Sequence, residues 1–162
     1  MKNTLKKSLL ILLLLFIVVP TTILTACKKG TKDANVQAFY DYAVTAKATL
    51  DDLADETTTV FYTITYNPKG YDLSVYTNLA LPVLEEKRDA VQNDYDTLSE
   101  LFDNTKDSSL HFEVKTIFYA FEDYINCVFN MERPYSTFTS KKELYERELR
   151  DALLKLELAL SN

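Results

Sequence analysis

Residues 36–64 read VQAFYDYAVTAKATLDDLADETTTVFYTI, and the spacing of their apolar side chains decides the fold class. Val36, Phe39, Ala43, Ala46, Leu50, Leu53, Thr57, Val60 and Ile64 recur at alternating steps of three and four. A helix turns about 100° per residue, so these positions share one face; a half-buried strand would need steps of two. The spacing predicts a helix over about 33–66. Thr57 to Thr65 is rich in β-branched residues and could instead pair as a hairpin with Tyr71 to Thr77. The register passes through the segment without a slip, and a lone two-stranded hairpin is marginal in water, so helix is favoured.

Toward the C-terminus, Asn67-Pro68-Lys69-Gly70 reads as a turn: proline presets φ and glycine accepts a positive one. Asp72 is placed to cap a second helix. The face of that helix is Leu73, Thr77, Ala80, Leu84, Arg88, Val91, Tyr95, Leu98 and Phe102, with Pro82 expected to kink or break it. Asn104 to Ser108 is a polar loop, with Asp107 or Ser108 as the next cap. A third helix over about 109–131 should bury Leu110, Val114, Ile117, Phe121, Tyr124, Ile125 and Val128. Glu132 to Thr139 reads as a proline-containing connection, and Ser140 with Glu143 makes a capping-box pattern. A fourth helix over about 141–160 would pack through Tyr145, Leu149, Ala152, Leu153, Leu156 and Leu160, with Glu143–Arg147 and Glu146–Arg150 paired on its wet side.

Short loops make sequential helices antiparallel neighbours, so the expected fold is all-α, an up-down-up-down four-helix bundle. The helices should run roughly 34, 32, 23 and 20 residues, which lets the first hairpin overhang the second by about 15 Å at 1.5 Å per residue.

The N-terminal end is of another kind. Lys2, Lys6 and Lys7 precede an unbroken apolar run from Leu9 to Val19, shorter than the roughly 20 residues a membrane span requires. Leu24-Thr25-Ala26-Cys27 follows and resembles the bacterial lipobox: a branched apolar residue, two small ones, then cysteine. The resemblance covers only the leader. It implies that residues 1–26 are a signal peptide, cleaved before Cys27. It also implies that the Cys27 thiol carries a diacylglycerol, and that the protein is a lipoprotein held on the cell membrane and facing outside the cytoplasm. An uncleaved anchor from Leu9 to Ala26 would also leave the domain membrane-bound. Residues 27–32 then form the lipidated cysteine and its tether, and 33–162 the helical domain. Lys28 to Lys32 reach at most about 18 Å. Lys28, Lys29 and Lys32 serve mainly as spacer, though each adds up to about 1 kcal/mol of attraction to anionic lipid.

The chain's formal charge of −6 becomes −9 once the three leader lysines are removed, which argues against nucleic acid as a partner. Eleven tyrosines and nine phenylalanines favour a packed domain over a disordered tail. Lipidation of Cys27 leaves Cys127 as the sole thiol, so no internal disulfide is expected. Cys127 lies at the edge of the apolar stripe with no histidine or second cysteine near it in sequence, and reads as an apolar filler.

Catalytic constellations are not legible. His111 is the single histidine; Glu122, on the same side of the helix, is about 16 Å along the axis, too far to share a metal. Its plain reading is a solvated first-turn residue. Asp103, Thr105 and Asp107 begin like a calcium loop, but Ser108 and Val114 stand where glycine and glutamate are required. Asp51, Asp52, Asp55 and Glu56 crowd two turns and read as a solvated acidic face. No cofactor or metal is expected, and the protein is not expected to be an enzyme.

Two features exceed what a lone bundle needs. Val60, Phe61, Tyr62, Ile64 and Tyr66 rise on one helix of the overhang, and Tyr71, Leu73 and Tyr76 descend on the other. Tyrosine-rich surface of this sort suits partner contact. Alternatively, Pro134, Tyr135 and Phe138 fold over it as a lid. Leu154 and Leu158 project opposite the core stripe of the last helix, either as a docking stripe or beneath a neighbouring helix. The expected function is a non-catalytic interaction module working near its membrane with a protein of the envelope. Its competitor is a carrier holding a small apolar ligand between the helices.

Overall fold

The computed structural model describes residues 31–161. The leader, Cys27 and the start of the tether lie outside them. The described chain is all helix and turn: α1 Thr31–Tyr66, α2 Leu73–Asp103, α3 His111–Asn130 and α4 Tyr135–Leu160. Thr31 and Lys32, expected in the tether, belong to α1. No helix among the described residues is long and apolar enough to cross a membrane.

Each helix runs antiparallel to its neighbours in an up-down-up-down bundle, as the cross-ties between them record. Asn35 Nδ2 donates to the Asn104 carbonyl at 2.9 Å, and Tyr42 Oη to Asp94 at 2.7 Å, between α1 and the α2 end of the first hairpin. Tyr95 Oη donates to Glu122 at 3.2 Å and Arg88 to the Phe129 carbonyl at 3.1 Å, between α2 and α3. Lys142 pairs with Asp55 at 2.6 Å, between α4 and α1. The shared seam buries Phe39, Leu50, Leu53, Leu98, Ile117, Phe121, Tyr124, Leu149 and Leu156. Arg88 sits on the core-facing side because its guanidinium lies over the Phe129 ring, 4.5 Å from the centroid, and its stem packs.

The contested segment is helical to Tyr66. The turn after it is held as the residue types dictate. Asn67 takes φ 41° and Gly70 φ 64°. The Asn67 side chain accepts from the Tyr71 amide at 2.8 Å and donates to the Tyr71 carbonyl at 3.0 Å. Asp72 caps α2 by accepting from the amides of Ser74 and Val75. Replacing Asp72 with alanine strands those donors and should cost about 1 kcal/mol, read as a lower urea midpoint with an unchanged slope. Pro82 lies inside an α2 that continues from Leu73 to Asp103, so of the two expected outcomes, a kink or a break, the break does not occur.

Several boundaries and faces depart from the sequence reading. α4 begins at Tyr135, six residues before the expected 141, and its N-cap is Pro134 rather than Ser140. The capping-box pattern is bypassed because Phe138 is fully buried, with its ring centroid 5.6 Å from that of Phe61. Burial of a whole aromatic side chain outweighs a cap worth about 1 kcal/mol. At the end of α1, Thr63 is buried and Ile64 is exposed, the reverse of the expected register. Leu110 is the residue before α3 and is half-buried; Phe118 joins the core in addition to the expected set. Arg150 faces Asp151 at 3.8 Å instead of the expected Glu146.

Candidate functional site

α3 is the shortest helix, and the Arg88–Phe129 tie sets its end level with the middle of α2. Residues 73–87 of α2 therefore run on past it for about 20 Å. α1 and the first turn of α4 also continue there. Where a fourth helix would have filled the seam, a trough of 760 Å³ remains. Its walls are Val60, Phe61, Ile64 and Tyr66 of α1, Leu81 and Leu84 of α2, and Asn130, Met131, Arg133, Pro134 and Tyr135 around the α3–α4 turn, with Thr65 at the edge. The core stripes of α1 and α2 extend into this trough, which explains why Ile64 is 39 % exposed and Leu81 is exposed as well. Met131 caps α3 at φ 29°, a left-handed conformation that glycine usually fills, at a cost on the order of 1 kcal/mol. That backbone sets the Met131 side chain against the trough.

The aromatic tip is divided rather than uniformly open. Tyr135 is its hub, with ring centroids 5.5 Å from Phe61, 5.6 Å from Tyr62 and 5.7 Å from Tyr66. The expected lid thus exists in part: it half-buries Phe61 and leaves Tyr62 and Tyr66 exposed, Tyr66 at 57 %. On the other strut Tyr71 is exposed and stacks flat on Tyr76, centroids 5.5 Å apart, and Tyr76 is half-buried. Phe61 and Tyr76, expected as contact residues, are both half-buried. The outer side of α2 carries Val75, Leu79 and Val83, all exposed, Leu79 at 70 %. The sequence reading does not single out these three. Their spacing of four, on the side away from Leu73, Ala80 and Leu84, is the signal that could have found them.

Leu154 and Leu158 are exposed on α4, as their position opposite the core stripe implied, and they lie apart from the trough and the tip.

The titratable candidates resolve into structural roles. His111 is not a solvated residue: its ring stacks on Phe102 with centroids 5.1 Å apart, and its Nδ1 lies 3.1 Å from the Thr105 hydroxyl. Thr105 is buried and its hydroxyl donates to the Phe102 carbonyl at 2.7 Å, so this trio fastens the α2–α3 loop. Ser108 accepts from the Leu110 amide just before α3. Three of the four acids in the cluster are each paired with a lysine, Asp51 with Lys47, Asp52 with Lys87 at 2.7 Å and Asp55 with Lys142 at 2.6 Å. Among the described residues no three His, Cys, Asp or Glu side chains converge on a metal position. Cys127 is half-buried beside a small polar cleft with Asp123, Asn126, Glu132 and Lys141; burial pushes its thiol up, against the opposing pull of Lys141. A thiol held protonated is a poor nucleophile.

No protein-family model matches the chain, and neither the curated proteins nor the solved structures hold a significant match to it.

Proposed function

We propose that this protein is a lipoprotein, anchored through acylated Cys27 outside the cytoplasm, that acts without catalysis as an interaction module. Its contact surface is the overhanging α1–α2 hairpin. The observation that carries the reading is the tip itself: Tyr62, Ile64, Tyr66, Tyr71, Val75, Leu79, Leu81 and Val83 are all exposed there. A helical hairpin gains nothing in its own stability from holding large apolar side chains in water, whereas a partner that covers them gains their burial. α1 is 36 residues long, so the tip lies about 54 Å from the start of the helix. A surface at that distance meets envelope proteins rather than the supporting bilayer.

The test is in-cell crosslinking of the anchored protein, comparing wild type with a Tyr66→Ala/Leu79→Ala double variant. Both side chains are largely exposed, so helicity and melting temperature should stay close to wild type. Captured partner should fall about tenfold or more. Undiminished capture with the double variant would remove the tip from consideration, and Leu154 and Leu158 would be next.

A second reading is favoured by the 760 Å³ trough, which shares Ile64, Tyr66 and Leu81 with the tip. Sites for small molecules are concave, largely apolar and roughly 300–1,000 Å³. On this reading a small apolar ligand lies between the helices.

A further inference from the structure

We propose that the trough takes a single-chain amphiphile with an anionic head, its apolar body along Ile64, Leu81 and Met131 and its head at Arg133. This deepens the second reading above and rests on it. Three observations point to that chemistry. The walls are apolar or aromatic for most of their extent, because they are the unfinished continuation of the bundle core. Of the residues that line the trough, Arg133 alone is charged. Arg133 is exposed at the α3–α4 turn, and among the described residues no carboxylate stands within salt-bridge distance of it.

That last point matters in a chain with an excess of acids. The lysines facing Asp51, Asp52 and Asp55 are each committed to a carboxylate, and Lys141 holds Glu132 at 2.6 Å just beside the turn. The same turn therefore pairs one cation internally and leaves the Arg133 guanidinium, on the lining of the trough, without a carboxylate among the described residues. A neutral ligand would gain nothing from Arg133, which is exposed and can stay hydrated, and a cationic one would be repelled. A carboxylate or phosphate head accepts the planar N–H fork in paired hydrogen bonds. The occupant that meets this chemistry is a free fatty-acid-like carboxylate; a two-chain lipid of the bilayer, about 54 Å away at the start of α1, has neither the single chain nor the reach.

The protein contains no tryptophan, so an introduced one is a clean reporter. The mature acylated protein, held in phosphatidylcholine nanodiscs, would carry Leu81→Trp, with Ile64→Trp as a second reporter and Leu154→Trp as the distant control. Quenching is then titrated with 11-bromoundecanoate, with 11-bromoundecanol, and with bromoacyl phosphatidylglycerol doped into the disc. The carboxylate should quench the indoles at positions 81 and 64 saturably, with a midpoint several-fold below that of the alcohol, and leave the control at position 154 unaffected. Adding Arg133→Glu should raise the carboxylate midpoint about tenfold and leave the alcohol's unchanged. Quenching by the free acid without quenching by the doped lipid supports the site, and quenching of positions 81 and 64 by the doped lipid overturns the free single-chain occupant. Equal midpoints for acid and alcohol, or no response to Arg133→Glu, overturn the anionic head. Equal quenching at 154, or none at 81 and 64, overturns the site while leaving the crosslinking result at the tip to stand or fall separately.

Discussion

Cys27→Ser should abolish lipid anchoring and removal of the leader together. Diacylglycerol supplies two acyl chains, and at about 0.8 kcal/mol per buried methylene the pair holds a protein essentially irreversibly, where one chain would give only marginal binding. Serine has no thiol to form the thioether, so both anchoring and the cleavage that follows it should be lost. Three basic residues after the cysteine, at about 1 kcal/mol each, cannot replace two chains. The measurement is flotation on a density gradient, together with the intact mass of the mature chain. Wild type should float and carry the mass of the lipid. The variant should retain its leader and, with only that leader's short apolar run, float poorly or aggregate. A variant that is cleaved and floats like wild type would mean that an element after residue 27 does the anchoring.

Alkaline pH should destabilise the bundle steeply, with Tyr124 as the main cause. Its side chain is fully buried on α3, and burial, followed by the Asp51 carboxylate beside it, pushes its phenol far above the usual value of 10. Tyr95 moves the same way, from burial and then the Glu122 carboxylate that accepts its hydroxyl. The direction of the effect follows from which state keeps its proton. Above pH about 10 the unfolded chain releases the phenolic proton and the folded chain retains it. The unfolded state then binds fewer protons, and stability falls as pH rises, by up to about 1.4 kcal/mol per pH unit for each such tyrosine. Over two pH units Tyr124 alone would account for nearly 3 kcal/mol. Urea titrations at pH 7, 10, 11 and 12 read this directly. Tyr124→Phe should flatten the decline by about one proton. At pH 7 that change should cost less than about 1 kcal/mol, because the Tyr124 hydroxyl and Asp51 Oδ1 are both buried with no well-formed hydrogen bond. Parallel curves for wild type and variant would show that Tyr124 ionises freely in the folded state.

The same residues show how far a linear reading reaches. The neighbours of His111 along the helix are polar and suggest a solvated ring, but that ring is covered by Phe102 from the previous helix. The lysines opposing Asp52 and Asp55 come from α2 and α4, at separations no local window contains. Tyr66 and Tyr71 are legible as tip residues because they flank a turn that the chain writes locally. Leu79 escapes notice although its period is there, because attention to the buried stripe treats the opposite side as solvent by default. The trough has no sequence signal of its own. It exists because α3 stops at Asn130 while three other helices continue, and the early start of α4 is hidden by a capping-box pattern at Ser140 that packing overrides.

From the order of its residues alone, this chain determines that it forms four amphipathic helices, where the first hairpin turns, and how α2 is capped. It also carries Leu24-Thr25-Ala26-Cys27, which resembles a lipobox. These depend on neighbours within about four positions, where backbone dihedrals and helical periodicity act. Only tertiary structure decided which aromatic rings close the tip, which acids are neutralised, and that a trough lined in part by Arg133 remains beside α3. Those depend on relative helix lengths and on contacts between residues far apart in the chain, and no local preference encodes them.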